Sequence, residues 1–377
     1  MTIAAPSEFR DQAQRRLPRF LFDYIDGAAY QEETCKKNVA DLGAIQLRQR
    51  VLRNVADVST SISLLDEDWA LPVALGPVGL SGMYARRGEV QAKRIADARG
   101  IPMCLSTLSL CSLEEVSSVA SRPLWFQLYI MRDRRFLRDL IARASAVGCK
   151  TLVLTVDMPV PGARYRDAHS GMSGPHSSFQ RFFQALQHPR WALDIGLLGR
   201  PHRLGNLEPL LGAASNIRDY MGWISRNFDP SVTWHEVDEL RRNWPGRLVL
   251  KGILDPEDAR EALNHGVDAL IVSNHGGRQL DGVPSTASAL PRVAQAIGGK
   301  IPVLVDGGVR TGLDVVRMLA LGASGVLLGR AWAFALAAAG GSGVARLLDL
   351  LEAEIRVAMA LSGVTQIKDI NDSLLAQ

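Results

Sequence analysis

Cysteine is scarce in this sequence, and its scarcity excludes two classes of site. The 377 residues include four cysteines, Cys35, Cys104, Cys111 and Cys149, and no two of them form a C-x-x-C pair. Thiols so few and so widely spaced predict neither a disulfide framework nor a zinc site. We therefore expect reduced thiols, as in a cytosolic protein, and no bound metal.

Long apolar runs are missing as well. The N-terminus reaches Glu8 and Arg10 before any apolar run of signal-peptide length, and the most apolar later stretch, Ala331–Ala339, is too short to cross a bilayer. The sequence predicts neither a targeting peptide nor a transmembrane helix.

The chain also has little net charge. Its formal charge is +4, spread evenly along the sequence, which argues against a nucleic-acid partner. A mild positive excess is compatible with an anionic substrate, a phosphorylated cofactor or anionic lipid. With 47% hydrophobic and 22% charged residues, the composition is that of a globular protein, and the length suits one large α/β barrel domain.

Eight short apolar runs with β propensity recur along the chain. They are Leu71–Leu75, Ile101–Leu105, Leu124–Tyr129, Thr151–Val156, Leu248–Lys251, Ala269–Ser273, Ile301–Val305 and Gly325–Leu328. Continuous apolar strands are typical of a parallel sheet that is buried on both faces.

Helix signals separate most of these strands. Segments 112–115, 255–258 and 311–314 each begin with a capping residue, and the helices that two of them open are predicted to stop at Gly266 and Gly322. Eight strand–helix alternations predict an α/β fold, a (β/α)8 TIM barrel. A doubly wound open sheet is the alternative, but the turn after the first strand, Gly76-Pro-Val-Gly79, lacks the G-x-G-x-x-G fingerprint of that fold.

The predicted organisation is a single domain covering residues 1–377. An N-terminal helical extension, residues 1–65, covers one end of a barrel formed by residues 66–158 and 247–377. The intervening segment 159–246 is an excursion after strand 4, since about 90 residues separate the fourth and fifth strands.

Polar residues follow the apolar runs at the ends where a barrel of this kind places its active site. From separate strands, the candidates are Ser106, Gln127, Tyr129, Thr155, Asp157, Lys251, His275, Arg278, Asp306 and Arg330. One such residue would more often be a helix cap or a solvated loop group, but ten together predict a functional site.

The segment Ser273-Asn-His275-Gly-Gly-Arg278-Gln279 combines a base with a fixed cation in a glycine-rich turn. It predicts a catalytic base beside a carboxylate-binding arginine, and Asp157 is available to orient the imidazole. A core histidine bonded to the backbone is the competing interpretation of His275.

Two glycine turns with arginines follow the last two strands, in segments 306–310 and 325–330. This is the usual phosphate-binding position in a barrel, because backbone N–H groups and guanidinium groups converge there. The pattern indicates a phosphorylated ligand without identifying it, so an isomerase or lyase acting on a phosphorylated substrate remains an alternative. A non-catalytic barrel would be expected to lack part of the base–carboxylate–arginine set, which is complete here.

Several motifs together resemble one enzyme family. They are Phe22-Asp-Tyr24-Ile-Asp-Gly27, Trp125-Phe-Gln127-Leu-Tyr129, Thr155-Val-Asp157, Lys251-Gly252, Ser273 through Gly282 and Asp306-Gly-Gly308, together with Pro77 and Arg164. Over nearly the whole chain the sequence is similar to the FMN-dependent 2-hydroxy-acid family of glycolate oxidase, mandelate dehydrogenase and L-lactate dehydrogenase. Segments 82–89 and 161–174 look most like the bacterial respiratory L-lactate dehydrogenases.

The resemblance implies a role for each matching position. It implies FMN contacts at Pro77, Val78, Gly79, Ser106, Gln127, Thr155, Lys251, Ser273, Asp306, Gly307, Gly308, Arg310, Gly329 and Arg330. Of these, the residues from Asp306 to Arg330 would hold the ribityl phosphate. It implies substrate contacts at Tyr24, Tyr129, Arg164 and Arg278. His275 would be the base and Asp157 its partner.

The same resemblance implies a reaction and a location. L-Lactate would be oxidised to pyruvate, and the electrons would pass to quinone or another respiratory acceptor. The protein would be peripheral on the cytoplasmic face of the inner membrane, and a homotetramer as in relatives.

Two departures from the family pattern bear on substrate and acceptor. Leu108 stands where glycolate oxidases carry tryptophan, and Gly79 stands where the oxidases tend to have alanine. The first argues against a glycolate-oxidase-like substrate choice, and the second argues against oxygen as the preferred acceptor. Mandelate or glycolate as substrate, and oxygen as acceptor, remain the alternatives.

Residues 176–206 have the composition of an interfacial membrane segment. Phe179, Phe182, Phe183 and Trp191 are predicted to enter the headgroup region, and four arginines outnumber the single acid, Asp194. The family's peripheral membrane enzymes favour this interpretation. A surface loop folded on its own barrel, or used in oligomer contacts, is the alternative.

Overall fold

Eight parallel strands form a nearly closed barrel. The computed structural model describes residues 3–174, 177–211, 223 and 226–376, with the side chain of Leu211 left undescribed. In chain order, the strands are β1 Ile62–Leu64, β2 Glu67–Trp69, β3 Val73–Leu75, β4 Cys104–Ser106, β5 Trp125–Leu128, β6 Thr151–Thr155, β7 Arg247–Ile253, β8 Ala269–Val272, β9 Val303–Val305 and β10 Gly325–Leu328.

The strand order shows how the barrel closes. Neighbours run β3-β10-β9-β8-β7-β6-β5-β4, all parallel, and a parallel bridge between Leu75 and Met103 joins the two ends. The predicted barrel is therefore confirmed, and the open doubly wound sheet is wrong. All eight predicted runs overlap β3 to β10, with boundaries that differ by no more than a few residues.

Helices alternate with the strands and surround the barrel. Among the described residues, they are α1 Glu8–Arg16, α2 Arg19–Asp26, α3 Glu33–Ala44, α4 Gly88–Ala98, α5 Leu113–Ser117, α6 Arg134–Ala146, α7 Tyr165–Ser170, α8 Ser177–Gln187, α9 Pro189–Trp191, α10 Glu208–Leu211, α11 Trp234–Asn243, α12 Pro256–Asn264, α13 Thr286–Ile297, α14 Gly312–Ala320 and α15 Arg330–Ser362.

The predicted helix starts are the observed ones. The side chains of Ser112, Asp255 and Thr311 accept hydrogen bonds from backbone N–H groups in the first turns of α5, α12 and α14, and Thr311 forms a full capping box with Asp314. These caps satisfy N–H groups that a helix leaves unpaired at its N-terminus.

Side chains two residues apart along a barrel strand point inward together, which divides the interior into layers. The lower layers are apolar, with Trp125, Val153 and Val249 packed in one buried cluster. Two residues further along β5, β6 and β7 come Gln127, Thr155 and Lys251. The same alternation that fills the core therefore places a polar layer at the C-terminal end of the barrel.

The N-terminal extension covers both ends of the barrel. Trp69 of the β1–β2 hairpin packs against Trp125, with ring centroids 5.6 Å apart, and closes the end opposite the polar layer. Asn38 of α3 exchanges two hydrogen bonds of 2.8 Å with Asn274 near the other end. The hairpin was not predicted, and the predicted boundary at residue 65 lies in its turn.

Helix α15 is longer than the sequence suggested. It continues past Ala339 to Ser362, across non-helical backbone at Ala339 and Gly340, and by length and composition it could cross a membrane. The apolar stretch Ala331–Ala339 is therefore only the first part of a longer helix. Half of its most apolar window is buried, and the helix packs against α1, α4 and α14, as a core helix does.

Strand β6 ends at Thr155 and β7 begins at Arg247, and the segment between them carries α7 to α11. Two buried side chains fix it to the barrel. The Trp191 ring donates from Nε1 to the carbonyl of Met83 at 2.9 Å, and Asn206 donates to the carbonyl of Ser106 at 3.2 Å. His176 and residues 212–222, 224 and 225, which belong to the predicted excursion, lie outside the described residues.

A buried ion pair within α4 also bonds to the segment before β5 and yields a test of stability. The Lys93 side chain is fully buried, and its Nζ lies 2.6 Å from Asp97 and 2.8 Å from the carbonyl of Arg122. Replacing Lys93 with Met should lower the free energy of unfolding by roughly 3–5 kcal/mol, because it leaves a buried carboxylate without its counter-ion. Chemical denaturation measures the change. The exposed Lys150, replaced in the same way, should leave the midpoint nearly unchanged, and equal effects of the two variants would contradict the assignment.

Candidate active site

A cavity of about 1060 Å³, including its open mouth, lies at the C-terminal end of the barrel. Most of the predicted site residues line it. They are Tyr24, Pro77, Val78, Gly79, Ser106, Tyr129, Thr155, Arg164, Lys251, His275, Arg278, Asp306, Gly307, Gly308, Arg310, Gly329 and Arg330. Residues from α2, from the loops after the strands and from the excursion therefore converge on one space.

The three other predicted residues lie behind this lining. Gln127 accepts a hydrogen bond from Ser106 at 3.1 Å, and Ser273 accepts one from Lys251 at 2.8 Å. Asp157 contacts His275. Each of the three fixes a side chain that faces the cavity.

His275 and Asp157 form a part-buried pair, with side chains 19% and 12% exposed. The Nδ1 atom of the imidazole lies 2.8 Å from Oδ1 of Asp157, which directs the opposite nitrogen away from the carboxylate. Burial lowers the pKa of His275 below its ordinary value, and Asp157 offsets only part of this effect. Burial raises the pKa of Asp157, but the partner His275 and nearby Lys251 outweigh it and hold the pKa below its usual range. The pair is therefore a neutral imidazole oriented by a carboxylate.

The backbone of the histidine turn needs its glycines. His275 has φ 55°, and its N–H donates to Oγ of Ser273 at 3.1 Å. Gly277 has φ 76°, and a Cβ there would lie 2.6 Å from the backbone nitrogen of Cys35. The turn thus packs directly on the N-terminal extension, and a side chain at Gly277 would push it away.

Lys251 is a buried cation held by two neighbouring strands. Its Nζ lies 3.0 Å from Asp306 and donates to Ser273 at 2.8 Å. Burial by itself lowers the pKa of Lys251, but the carboxylates of Asp306 and Asp157 outweigh it, and the pKa lies above its ordinary value. The ammonium therefore stays charged at the floor of the cavity.

Polar atoms without partners mark the same part of the site. Among the described residues, Nε2 of Gln127, Oγ1 of Thr155 and Oδ1 of Asp306 are buried and have no hydrogen-bond partner. Buried polar groups are nearly always hydrogen-bonded. Three such atoms around one cavity indicate a polar ligand that satisfies them.

Two buried guanidinium groups lie at the end of the cavity formed after β9 and β10. Arg330 donates to the carbonyls of Ile25, Gly27 and Gly276 at 2.7–2.9 Å, so it also ties α2 to the histidine turn. Burial lowers the pKa of Arg330 to about 10, and it lowers the pKa of Arg310 as well. Two cations buried side by side favour an anion between them.

Positive φ angles bring the backbone of this end close to its neighbours. Gly307 and Gly308 have φ of 93° and 81°, and a Cβ at Gly308 would lie 2.0 Å from the carbonyl oxygen of Asn38. A Cβ at Gly329 would meet nothing within 4 Å. Gly308 therefore packs tightly against α3, whereas Gly329 leaves open space.

The predicted substrate residues lie next to these arginines, since Arg278 and Arg330 donate to the same carbonyl, that of Gly27. Arg278 donates to the carbonyls of Tyr24 and Gly27 at 2.6 and 2.9 Å, and its guanidinium lies 4.8 Å from the centre of the Tyr24 ring. Arg164 donates from Nε to the carbonyl of Arg278 at 3.4 Å. Burial raises the pKa of Tyr129, so its phenol stays neutral. Two guanidinium groups and the neutral phenol of Tyr129 suit a small carboxylate.

The predicted residue set omitted several side chains that line the cavity. They are Tyr84, Leu108 and Met158, together with Ile25, Val309, Leu327, Leu328 and Ala333. Tyr84 donates to the carbonyl of Gly79 at 3.1 Å, and burial raises its pKa well above the ordinary value. Leu108 and Met158 supply apolar wall. Met158 directly follows Asp157 in the chain, so its position after β6 was the available signal. Tyr84 does not directly follow a strand, but it lies in segment 82–89, whose resemblance to the bacterial respiratory L-lactate dehydrogenases was its available signal.

Comparisons with known proteins agree with this geometry. The model of the FMN-dependent dehydrogenase family matches residues 13–377. The chain belongs to this family.

The relatives are similar over their whole length. L-Lactate dehydrogenase of Caulobacter sp. (strain K31) is 61% identical over 377 residues, which cover 100% of this chain and 99% of that protein. L-Lactate dehydrogenase of Yersinia pestis (strain Pestoides F) is 60% identical over 376 residues, with the same coverage of both chains.

Solved structures share the fold. The crystal structure of monotopic membrane protein (S)-mandelate dehydrogenase has a TM-score of 0.93 at 35% identity and full coverage of both chains. That of mandelate oxidase has a TM-score of 0.83 at 35% identity, with 100% of this chain and 98% of that chain covered.

FMN is the cofactor of the FMN-dependent dehydrogenase family, and this site fits it. The partnerless polar atoms at Gln127 and Thr155 suit the hydrogen-bonding edges of a flavin ring. The buried cations Arg310 and Arg330 suit its phosphate, and the space in front of Gly329 gives the phosphate room.

The charge at this end of the cavity predicts how the enzyme distinguishes FMN from riboflavin. Replacing Arg310 with Met should weaken FMN binding tenfold or more, since a charge-assisted hydrogen bond contributes roughly 1.5–3 kcal/mol. Riboflavin, which lacks the phosphate, should bind about equally to both proteins. Fluorescence titration of the apoprotein measures both affinities. The exposed Arg292, replaced in the same way, is the control, and equal losses for the two flavins would contradict a phosphate contact at Arg310.

Proposed function

We propose that this protein oxidises L-lactate to pyruvate and passes the electrons to the respiratory chain. The observation that carries the proposal is the part-buried His275–Asp157 pair at 2.8 Å, which borders a cavity that is also lined by Arg164, Arg278 and a floor suited to flavin. The relatives named L-lactate dehydrogenase, at 60–61% identity over the full chain, support the choice of substrate.

The reaction removes two electrons and two protons from a secondary alcohol next to a carboxylate. FMN, when bound, accepts the electrons. Neutral His275 takes a proton from the substrate through the nitrogen that faces the cavity, and the carboxylate of Asp157 stabilises the imidazolium that forms. Lys251, charged and buried, supplies positive potential at the cavity floor.

The arginines would fix the substrate for this transfer. Arg278 and Arg164 would bind the substrate carboxylate, with Tyr24 and Tyr129 beside its hydroxyl group. Arg278 is itself held by two backbone carbonyls and the Tyr24 ring, so it would present a preorganised cation. Ser106, Gln127, Thr155 and the turns after β9 and β10 would hold FMN.

Other substrates are weaker candidates. Mandelate enzymes with solved structures share 35% identity with the chain, against 60–61% for the L-lactate dehydrogenases. The apolar wall near the substrate residues is formed by Leu108 and Met158, both buried. An isomerase or lyase of a phosphorylated substrate would leave the match to an FMN-dependent family without explanation.

His275 provides the direct test of the reaction. In the wild-type holoenzyme, L-lactate should bleach the visible absorbance of oxidised FMN under anaerobic conditions. Replacing His275 with Gln should slow bleaching roughly 10²–10⁴-fold, since general-base catalysis is removed, while FMN stays bound. Stopped-flow absorbance measures the rate. Near-normal bleaching in the variant would make His275 a core histidine and remove it from the mechanism.

The pH profile of the wild type is the second readout of that test. The base acts when neutral, so kcat/KM should fall as the pH drops through the pKa of His275. Because burial holds this pKa below 6.5, the acid limb should lie below that pH, with no rise in activity above it that depends on this group. An acid limb centred above 6.5 would contradict the proposed environment of His275.

We extend the proposal to peripheral attachment at the cytoplasmic face of the inner membrane. On α8, Phe179, Phe182, Phe183 and Leu186 are spaced as one helical face and are 47–68% exposed. Leu193, Leu197 and Leu198 add exposed side chains just beyond it. We call these seven residues the aromatic face. An exposed apolar patch beside arginines suits anionic lipid, and the (S)-mandelate dehydrogenase of the same fold is a monotopic membrane protein.

One predicted membrane contact is wrong. Trp191 is only 6% exposed, because its indole donates to the carbonyl of Met83 and its ring meets Phe20 edge-on at 6.0 Å. It anchors the segment to the barrel. Asp194, the one acid of the segment, lies 3.8 Å from Arg16 and 3.9 Å from Arg86, so arginines outside the segment accompany it.

The aromatic face can be tested without disturbing the anchors. Replacing Phe179, Phe182 and Leu186 with Ser should lower sedimentation with anionic liposomes at least tenfold, because buried apolar area drives interfacial binding. L-Lactate-dependent reduction of a soluble dye should be unchanged. The matched control replaces three exposed apolar residues elsewhere, Leu52, Val357 and Leu361, with Ser. If the wild type ignores anionic liposomes at low salt, the membrane assignment fails.

The proposal includes a quinone as acceptor and a homotetrameric assembly, both implied by the family resemblance. Attachment through the aromatic face would place the enzyme beside a lipid-soluble acceptor.

A further inference from the structure

A second cavity, of about 920 Å³, adjoins the active site. It lies beyond the C-terminal ends of β6 and β7 and reaches α11. Its lining is mixed. Apolar side chains come from Ile130, Leu154, Val156, Val237 and Ile253, and polar ones from Thr155, Thr233, Asp229 and Asp258. Nothing in the proposed reaction of L-lactate uses this space.

Three side chains separate the two cavities. Tyr129, Thr155 and Met158 line both of them. These three residues therefore form the partition between the substrate end of the active site and the second cavity.

Of these three partition residues, Met158 is the one whose side chain has no hydroxyl group. Its side chain is unbranched and flexible, and it is 6% exposed. Gln279 holds the backbone on both sides of it, donating to the carbonyls of Asp157 at 3.1 Å and Val160 at 2.9 Å. Shortening Met158 should thus remove part of the partition and leave Asp157 in place.

The charges of the second cavity define what could enter it. Its lining includes the carboxylates of Asp229 and Asp258 and, among the described residues, no Lys, Arg or His. Asp229 is paired with Arg134 at 2.6 Å, and burial raises the pKa of Asp258. An anion would find no cation there, whereas an uncharged alkyl chain could pack against the apolar part of the lining, which includes Leu154 and Val237.

We propose that Met158 limits the length of the substrate side chain, and that its removal lets an unbranched 2-hydroxy acid extend its alkyl tail into the second cavity. The carboxylate of such a substrate would stay at Arg164 and Arg278, and its tail would occupy the position of the Met158 side chain. This inference rests on the proposed oxidation of L-lactate, because it concerns the specificity of that same site.

The test compares two substrates in one holoenzyme. For Met158→Ala, kcat/KM for L-2-hydroxyhexanoate relative to L-lactate should rise at least tenfold, mainly through a lower KM, since the gain is in binding. Met158→Val, which keeps more of the wall, should show a smaller rise and covers the case in which the alanine variant folds poorly. Met172, 1% exposed and absent from both linings, is the matched methionine, and Met172→Ala should leave the ratio unchanged.

A second-site variant locates the tail. Val237 lines only the second cavity, so Val237→Phe in the Met158→Ala background should reverse the gain and leave L-lactate turnover intact. An unchanged substrate ratio in folded, L-lactate-active Met158 variants, or a gain that Val237→Phe does not reverse, would overturn the inference. Lack of L-lactate oxidation by the wild type would instead overturn the proposed function.

Discussion

Parallel closure of eight strands is the constraint on which this site depends. In a closed barrel, every strand has a partner on each side, and side chains two residues apart share a face, so each inward position belongs to a defined layer. Trp125 and Val249 fill an apolar layer, and Gln127 and Lys251 stand directly above them. A shift of one residue in any strand would exchange its inward and outward side chains and remove its contribution to the site. The strand register that packs the core therefore also sets the positions of the site residues.

The polar layer contains charges that the barrel could not bury singly. Lys251 is paired with Asp306, and His275 with Asp157, so each of these groups has a partner supplied by a different strand. Arg330 is held by backbone carbonyls, which leave its charge uncompensated, and burial lowers its pKa accordingly. The phosphate of FMN is the counter-ion that this end of the cavity suits. Lys251 and His275 thus have partners within the protein, whereas the charge of Arg330 is suited to a bound phosphate.

The segment between β6 and β7 has two physically different parts. Its buried side chains reach the barrel: Trp191 bonds to Met83, and Asn206 contacts the carbonyl of Ser106 and accepts from the backbone of Leu113. Its exposed part is the aromatic face, which lies on α8 and just beyond it. Because Ser106 also lines the flavin cavity, the segment that would meet the membrane rests on the loop that would hold the flavin. From composition alone, both parts were predicted to contact the membrane. Only their contacts show that one part anchors the segment to the barrel and the other is exposed.

The sequence by itself determined the barrel, since apolar runs, capping residues and glycine stops are local signals that specify strands and helices one at a time. It also brought the strand-end candidates to one site, because polar residues at the C-terminal ends of parallel strands must converge, whereas residues such as Tyr24 and Arg164 were implied only by the family resemblance. The tertiary structure decided what depends on distant segments. The β1–β2 hairpin is too short to carry a local signal, and Trp191 is buried only because Met83 and Phe20 lie opposite it. The second cavity is likewise invisible in sequence, because its walls come from β5, β6, β7 and α11, and a volume enclosed by several elements exists only after they pack.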